Sequence, residues 1–318
     1  MHTTPTSSRK LISDIDALPH TPAMWAASGA CVRASANHPF FLAMLDGTLA
    51  PAAFECYIRQ DAKFLQDFAL AMRRLAALAA LDEDDVSLAE AAYLHKIADD
   101  ANVEEQDLHA SSLAALGVSD EALAVDEQAP TTLAITSFLL RCVADGRCEG
   151  LAALLPCFWV YNDVGVKMRE LRATTYRDAT RSPELDAWID MYGGDPFGEC
   201  AKAYRAIVER AAAGADDATR ERMTFNFRRA CDLTYMFWTA ALDDGSTAAC
   251  RSWAPTRRRR PTRSGRASLG TAATGRTARA RPATRPVRRS SAPTFIQPAP
   301  LWSPGASKWP WRRRAGPS

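Results

Sequence analysis

Prolines that open segments and glycines that close them, with no strand alternation in between, confine residues 20–245 to helical architectures. No sustained period-2 pattern appears, and no Asn-Gly turn joins two apolar runs. Proline is tolerated at the first helical position and glycine ends helices. On that basis Thr21-Pro22 reads as an N-cap opening a helix to about residue 36. His38-Pro39 opens a short helix ending at Asp46-Gly47, and Pro51 starts a long one to about 81. A polar turn at 82–85 leads into a helix over 86–116, stopped by Gly117, and Pro130-Thr131 opens the next, to 144. Residues 149–171 are expected to be helical, with Pro156 either kinking the helix or sitting at an irregular turn. Helices near 183–191, 196–213 and 219–242 complete a bundle of eight or more, with Asp244-Gly245 ending the fold.

Charge divides the chain at the same boundary. Residues 246–318 hold 17 of the 39 basic residues and none of the 37 acidic ones, so a charge of +17 follows a body of −15. Ten of the 19 prolines fall there too. The expected organisation is a flexible segment over 1–19, an all-α domain over 20–245 and a disordered Arg/Pro-rich tail over 246–318. Arginine clusters such as 257–260, beside aromatics such as Trp253 and Trp311, suit non-specific nucleic-acid contact. The bland alternative is a tail without selected function, as an altered reading frame would produce. Eight scattered cysteines form no C-x-x-C pair, which argues against a zinc site and for a reduced, cytoplasmic protein. The first twenty residues carry no apolar signal region, and the longest apolar run, near 151–161, is too short to span a bilayer.

Three places can carry chemistry. Tyr57, Asp61, Phe64, Leu65 and Phe68 share one helix face, so Asp61 is either a partner for an amino-bearing ligand or an acid at the edge of that face. Cys157 and Tyr161, four residues apart after Pro156, read as cavity-lining groups or as buried structure. Tyr192 precedes Gly193-Gly194, which permit close backbone approach, though an ordinary aromatic at a helix end fits as well. Neither His95 nor His109 follows a Glu at the Glu-x-x-His spacing of a di-iron bundle. His20 and His38 sit at cap-like positions, which argues against an axial haem ligand. No metal and no cofactor is expected, and no Gly-rich phosphate loop is present.

Read in order, several segments resemble the TenA/thiaminase II family. They are His38-Pro39-Phe40 with Asp46-Gly47-Thr48-Leu49, Tyr57-Ile58-Arg59-Gln60-Asp61, and Pro130-Thr131-Thr132-Leu133-Ala134. Leu154-Leu155-Pro156-Cys157, Trp188-Ile189-Asp190-Met191-Tyr192-Gly193 and Tyr235-Met236-Phe237-Trp238 follow. The resemblance covers about 20–243 and implies a haem-oxygenase-like all-α fold that binds aminopyrimidines without haem, commonly as a homotetramer. It implies hydrolysis in thiamine salvage, at the bond between the 5-methylene carbon of a 4-amino-2-methylpyrimidine and its nitrogen leaving group. The substrate would be the aminomethylpyrimidine or thiamine. Cys157 takes the nucleophile's place, Asp61 holds the amino side of the ring, and Tyr161 and Tyr192 shape the site.

Three further positions of the implied pocket depart from the family. Phe64 and Ile135 stand where the family has tyrosines, and Thr234 stands where it places a catalytic glutamate. Threonine supplies no carboxyl group, and Asp232 projects from a different part of the helix surface. The resemblance therefore leaves two functions open, a hydrolase or a catalytically weak pyrimidine-binding protein of the same fold.

Overall fold

A computed structural model describes residues 18–82, 84–101 and 127–246. Among them every regular element is a helix: α1 His20–Ala27, α2 Gly29–Ser35, α3 Pro39–Asp46, α4 Pro51–Ala79, α5 Asp85–Ala101 and α6 Pro130–Asp145. Then come α7 Arg147–Leu154, α8 Pro156–Ala173, α9 Pro183–Tyr192, α10 Asp195–Gly214 and α11 Asp217–Ser246. The expected all-α class holds. The segments 1–17 and 247–318, and the expected end of the 86–116 helix with Gly117, lie outside the described residues.

Local chemistry explains most boundaries. His38 caps α3, its Nδ1 accepting from the Phe40 N–H at 3.1 Å, and Pro39 occupies the first turn, where its missing N–H costs nothing. Gly47 closes α3 at φ 80, and a Cβ there would lie 2.1 Å from the Thr180 carbonyl oxygen. Asp84 starts α5, accepting from the N–H groups of Val86 and Ser87 at 2.9 and 3.0 Å.

Three boundaries differ from the sequence reading. The first helix begins at His20, not after a Thr21 cap, because the Glu209 carboxylate from α10 accepts from the N–H groups of both His20 and Thr21, at 2.9 and 2.6 Å. It also breaks at Ser28, so residues 20–36 form two helices. At Pro156 the turn, not the kink, is found: α7 ends at Leu154, Leu155 is a turn and Pro156 begins α8, since proline cannot donate to the carbonyl one turn back. Finally, α11 continues through Gly245 to Ser246.

Helix α4 forms the spine, packed on α5, α6 and α11, while α8 leans on α9 and α10 and α7 lies between α6 and α11. All side chains from Leu151 to Leu155 are buried, so α7 reaches the centre of the bundle. Truncating such a leucine to alanine costs about 2–5 kcal/mol. Cys142 and Cys231 are buried among the core side chains, and Cys31, Cys148, Cys157 and Cys200 are half-buried. Among the described residues no helix is long and apolar enough to cross a membrane.

Candidate functional site

The centre of the bundle is a mesh of aromatic rings around one carboxylate. Tyr57, Asp61, Leu65 and Phe68 of α4 are all buried, Asp61 at 4% exposure, and Phe64 is half-buried beside them. The edge-of-face alternative for Asp61 thus fails. A buried carboxylate is costly unless polar groups surround it, and here they are phenols. Burial pushes the Tyr57 and Tyr161 hydroxyls well above the usual tyrosine range, and the Asp61 charge pushes both further. Tyr192 also acts on Tyr57, and Cys157 on Tyr161. Tyr161 of α8 and Tyr192 of α9 are brought together, and the charges of Asp61 and Cys157 both act on the Tyr161 hydroxyl.

Helix geometry accounts for the placement. Cys157 and Tyr161 are one turn apart on α8, and the thiol stands in the first turn, where the helix dipole favours negative charge. Cys157 is half-buried, whereas Cys142 and Cys231 are buried outright. The Tyr161 ring lies 5.0 Å from Tyr192 and 5.2 Å from Trp238, centroid to centroid. Tyr192 ends α9 and is anchored through its own carbonyl, which accepts from Asn162 Nδ2 at 3.0 Å. Arg169 of α8 likewise donates to the Gly193 carbonyl at 2.6 Å.

The remaining pocket positions fall on the same core. Phe64 approaches Phe237 at 6.2 Å, and Ile135 of α6 is buried. Thr234 is 2% exposed, one turn before Phe237 and Trp238, and its Oγ1 has no hydrogen-bond partner. Asp232, two residues earlier, turns to Arg229 at 3.6 Å. A shallow cleft is lined by Gln60, Thr131, Thr132 and Phe237 among others, not by Asp61 or Cys157. Gln60 is already committed, its Oε1 accepting from the Ala129 N–H at 2.8 Å and from Thr132 Oγ1 at 2.7 Å.

Two site tryptophans escaped sequence reasoning. Trp188 Nε1 donates to the Tyr57 hydroxyl oxygen at 3.2 Å, and Trp238 Nε1 donates to that of Tyr161 at 3.1 Å. Both indoles are buried. Both stand in segments that carry the resemblance, and helical spacing places Trp238 four residues after Thr234 and Trp188 four before Tyr192. His38, one of the two cap-like histidines, is buried as well, with Nε2 3.0 Å from Thr239 Oγ1 and a pKa lowered by burial to about 4. No group of three His, Cys, Asp or Glu side chains able to hold a metal occurs among the described residues.

Comparison with known proteins identifies the family and the fold. The model of the TENA/THI-4/PQQC family matches residues 26–244. An aminopyrimidine aminohydrolase from Halalkalibacterium halodurans is 33% identical over 211 residues, 65% of this chain and 88% of that protein. The solved structure of a TenA family transcription regulator from Silicibacter sp. TM1040 is 28% identical, with a TM-score of 0.60, and the match covers 70% of this chain and 96% of that one. A domain with a haem-oxygenase-like fold from Shewanella denitrificans is 13% identical with a TM-score of 0.50, covering 77% and 94%. That last likeness concerns the fold alone.

Proposed function

This chain belongs to the TENA/THI-4/PQQC family, and from that premise we propose that it hydrolyses 4-amino-2-methylpyrimidine compounds at their 5-methylene carbon. The product is 4-amino-5-hydroxymethyl-2-methylpyrimidine, and the reaction belongs to thiamine salvage. The observation that supports this reading is that Asp61, Tyr161 and Tyr192 are buried, Tyr161 packs on Tyr192 at 5.0 Å, and half-buried Cys157 lies one turn before Tyr161 on α8. Asp61 would accept from the exocyclic amino group, since a carboxylate offers only acceptors. The Cys157 thiolate would add to the pyrimidine ring while a ring nitrogen takes a proton. The amine then leaves the methylene with its bonding pair and a proton, water bonds to that carbon, and the thiolate is released. Water enters and amine departs, so the balance closes without a redox step.

The likeness to an aminopyrimidine aminohydrolase supports this choice of reaction. Thr234 favours a second reading, a weak or inactive pyrimidine-binding protein, because a threonine hydroxyl cannot replace a carboxyl group in proton transfer. Its unpartnered Oγ1 still offers a hydrogen bond to a ring. The deciding experiment incubates the protein with 4-amino-5-aminomethyl-2-methylpyrimidine and with thiamine, and assays the hydroxymethyl product. Product that disappears in Cys157→Ser supports the hydrolase. A rise in melting temperature with the pyrimidine but no product establishes the binder instead.

A further inference from the structure

Arg181 lies in the loop between α8 and α9, yet its side chain is only 7% exposed. A guanidinium that far from water is costly unless acceptors surround it. Here they come from three segments. Nε donates to Asp186 Oδ1 of α9 at 2.9 Å. Nη1 donates to the Leu45 carbonyl of α3 at 2.6 Å and to the Tyr176 carbonyl of the loop at 3.2 Å. The Leu45 carbonyl falls in the last turn of α3, where helical partners run out and a cation suits the helix dipole. The planar fork suits this task, since its N–H groups leave in fixed directions and reach separate acceptors at once.

Other polar ties on α9 come from α8. Arg172 donates to Asp186 Oδ1 at 3.1 Å and also to Asp190, while Asn162 and Arg169 hold the carbonyls of Tyr192 and Gly193. Polar ties to a single neighbour leave a ten-residue helix able to pivot about it, and Arg181 supplies a second anchor, on α3. Rings of the site cross between the same two helices. Phe41 of α3 lies 5.1 Å from Trp188 of α9. Trp188 in turn donates to the Tyr57 hydroxyl oxygen at 3.2 Å and packs on Tyr192 at 4.5 Å.

We propose that Arg181 is a positioning residue for the pyrimidine site. By tying the start of α9 to the end of α3, it holds Trp188 against Tyr57 and Tyr192 against Tyr161, and so sets the wall on which the ring is bound. It acts through α9 and not on the substrate. For its effect on turnover this inference rests on the proposed hydrolysis, but the placement of Trp188 can be read without substrate.

The test has two readouts. In the first, 5-fluorotryptophan replaces the eight tryptophans of the full chain, and the Trp188 fluorine resonance is assigned by its loss in Trp188→Phe. Arg181→Met keeps an unbranched apolar stem and removes every donor. It is expected to shift the Trp188 resonance and to leave that of Trp25, on α1, in place. In the second, the unlabelled Arg181→Met chain should show KM for 4-amino-5-aminomethyl-2-methylpyrimidine raised about tenfold with kcat within about twofold, because a misplaced wall weakens ground state and transition state alike. A merely structural role would instead lower the folded fraction, which cuts the apparent kcat and leaves KM in place. Should Arg181→Met fail to fold, Asp186→Asn weakens the same tie at a carboxylate that is 40% exposed, and gives both readouts. An unmoved Trp188 resonance, or a kcat that falls at constant KM, overturns the assignment. If the parent chain binds the pyrimidine without turnover, a calorimetric Kd replaces KM, with the same tenfold expectation. A parent chain that makes no product and binds no pyrimidine removes the proposed function instead, and the Trp188 resonance then decides the role of Arg181 alone.

Discussion

Gly165 of α8 and Tyr192 at the end of α9 are in backbone contact: a Cβ at position 165 would lie 2.4 Å from the Tyr192 carbonyl carbon. Gly193 returns the approach, since a Cβ there would lie 2.5 Å from the Gly165 carbonyl oxygen. Cys157, Tyr161 and Gly165 share one face of α8, so the helix that presents the thiol also seats the tyrosine opposite it.

Gly165→Ala should accordingly destabilise the protein by about 1–3 kcal/mol, the overpacking cost exceeding the small gain in helix propensity. It should also weaken pyrimidine binding, by moving Tyr192 away from Tyr161. Urea denaturation and calorimetric titration measure the two effects. Unchanged stability would mean that the crossing relaxes freely.

Cys157→Ser should abolish product formation while the melting temperature stays within about 2 °C, because the thiol is half-buried and the change in volume is small. Full activity in this variant would exclude thiolate addition. Asp61→Asn should leave the thiol in place and weaken binding by roughly tenfold or more, since an amide puts a donor where an acceptor is required.

Thr234 makes two opposite predictions. Thr234→Glu should raise turnover about 10²-fold, the contribution of a positioned acid. Thr234→Val, nearly isosteric, removes a buried hydroxyl that has no partner, and should raise the ligand-free melting temperature while weakening pyrimidine binding. A lower melting temperature in Thr234→Val would show that the hydroxyl is satisfied in the ligand-free protein.

His38 gives the fold a pH dependence. Its pKa falls from 6.5 to about 4 in the folded chain, with burial as the main cause and the Asp243 charge opposing it. Between those values the unfolded chain binds a proton that the folded chain refuses, so stability is complete above pH 6.5 and declines as pH falls toward 4. His38→Asn keeps a capping acceptor for the Phe40 N–H and has no proton to take up. Urea midpoints measured at pH 7 and pH 5 should differ less in that variant than in the parent chain.

The helices were legible where their signals are local. Pro39, Pro51, Pro130 and Pro183 each begin a helix as proline statistics expect, because one residue decides whether an N–H is missed. The break at Ser28 carried no proline, only Gly29. Asp61 and Cys157 drew notice as polar groups on apolar faces, and the resemblance assigned their roles. The tryptophan donors were hidden for a different reason. Trp188 and Tyr57 are 131 residues apart, and Trp238 and Tyr161 are 77 apart, so no window of sequence holds either pair. The Glu209 cap on α1 was hidden in the same way.

That cap bears on the order of events during translation. Helix α1 leaves the ribosome before every other described helix, yet the carboxylate that accepts from the Thr21 amide is made 188 residues later. Eight residues of helix are too few to persist alone in water. The N-terminal helix must therefore wait as unstructured chain until α10 has emerged, and it docks after synthesis of most of the domain is complete. Nascent chains stalled before residue 209 should leave the Thr21 amide unprotected from hydrogen exchange, and chains released at full length should protect it.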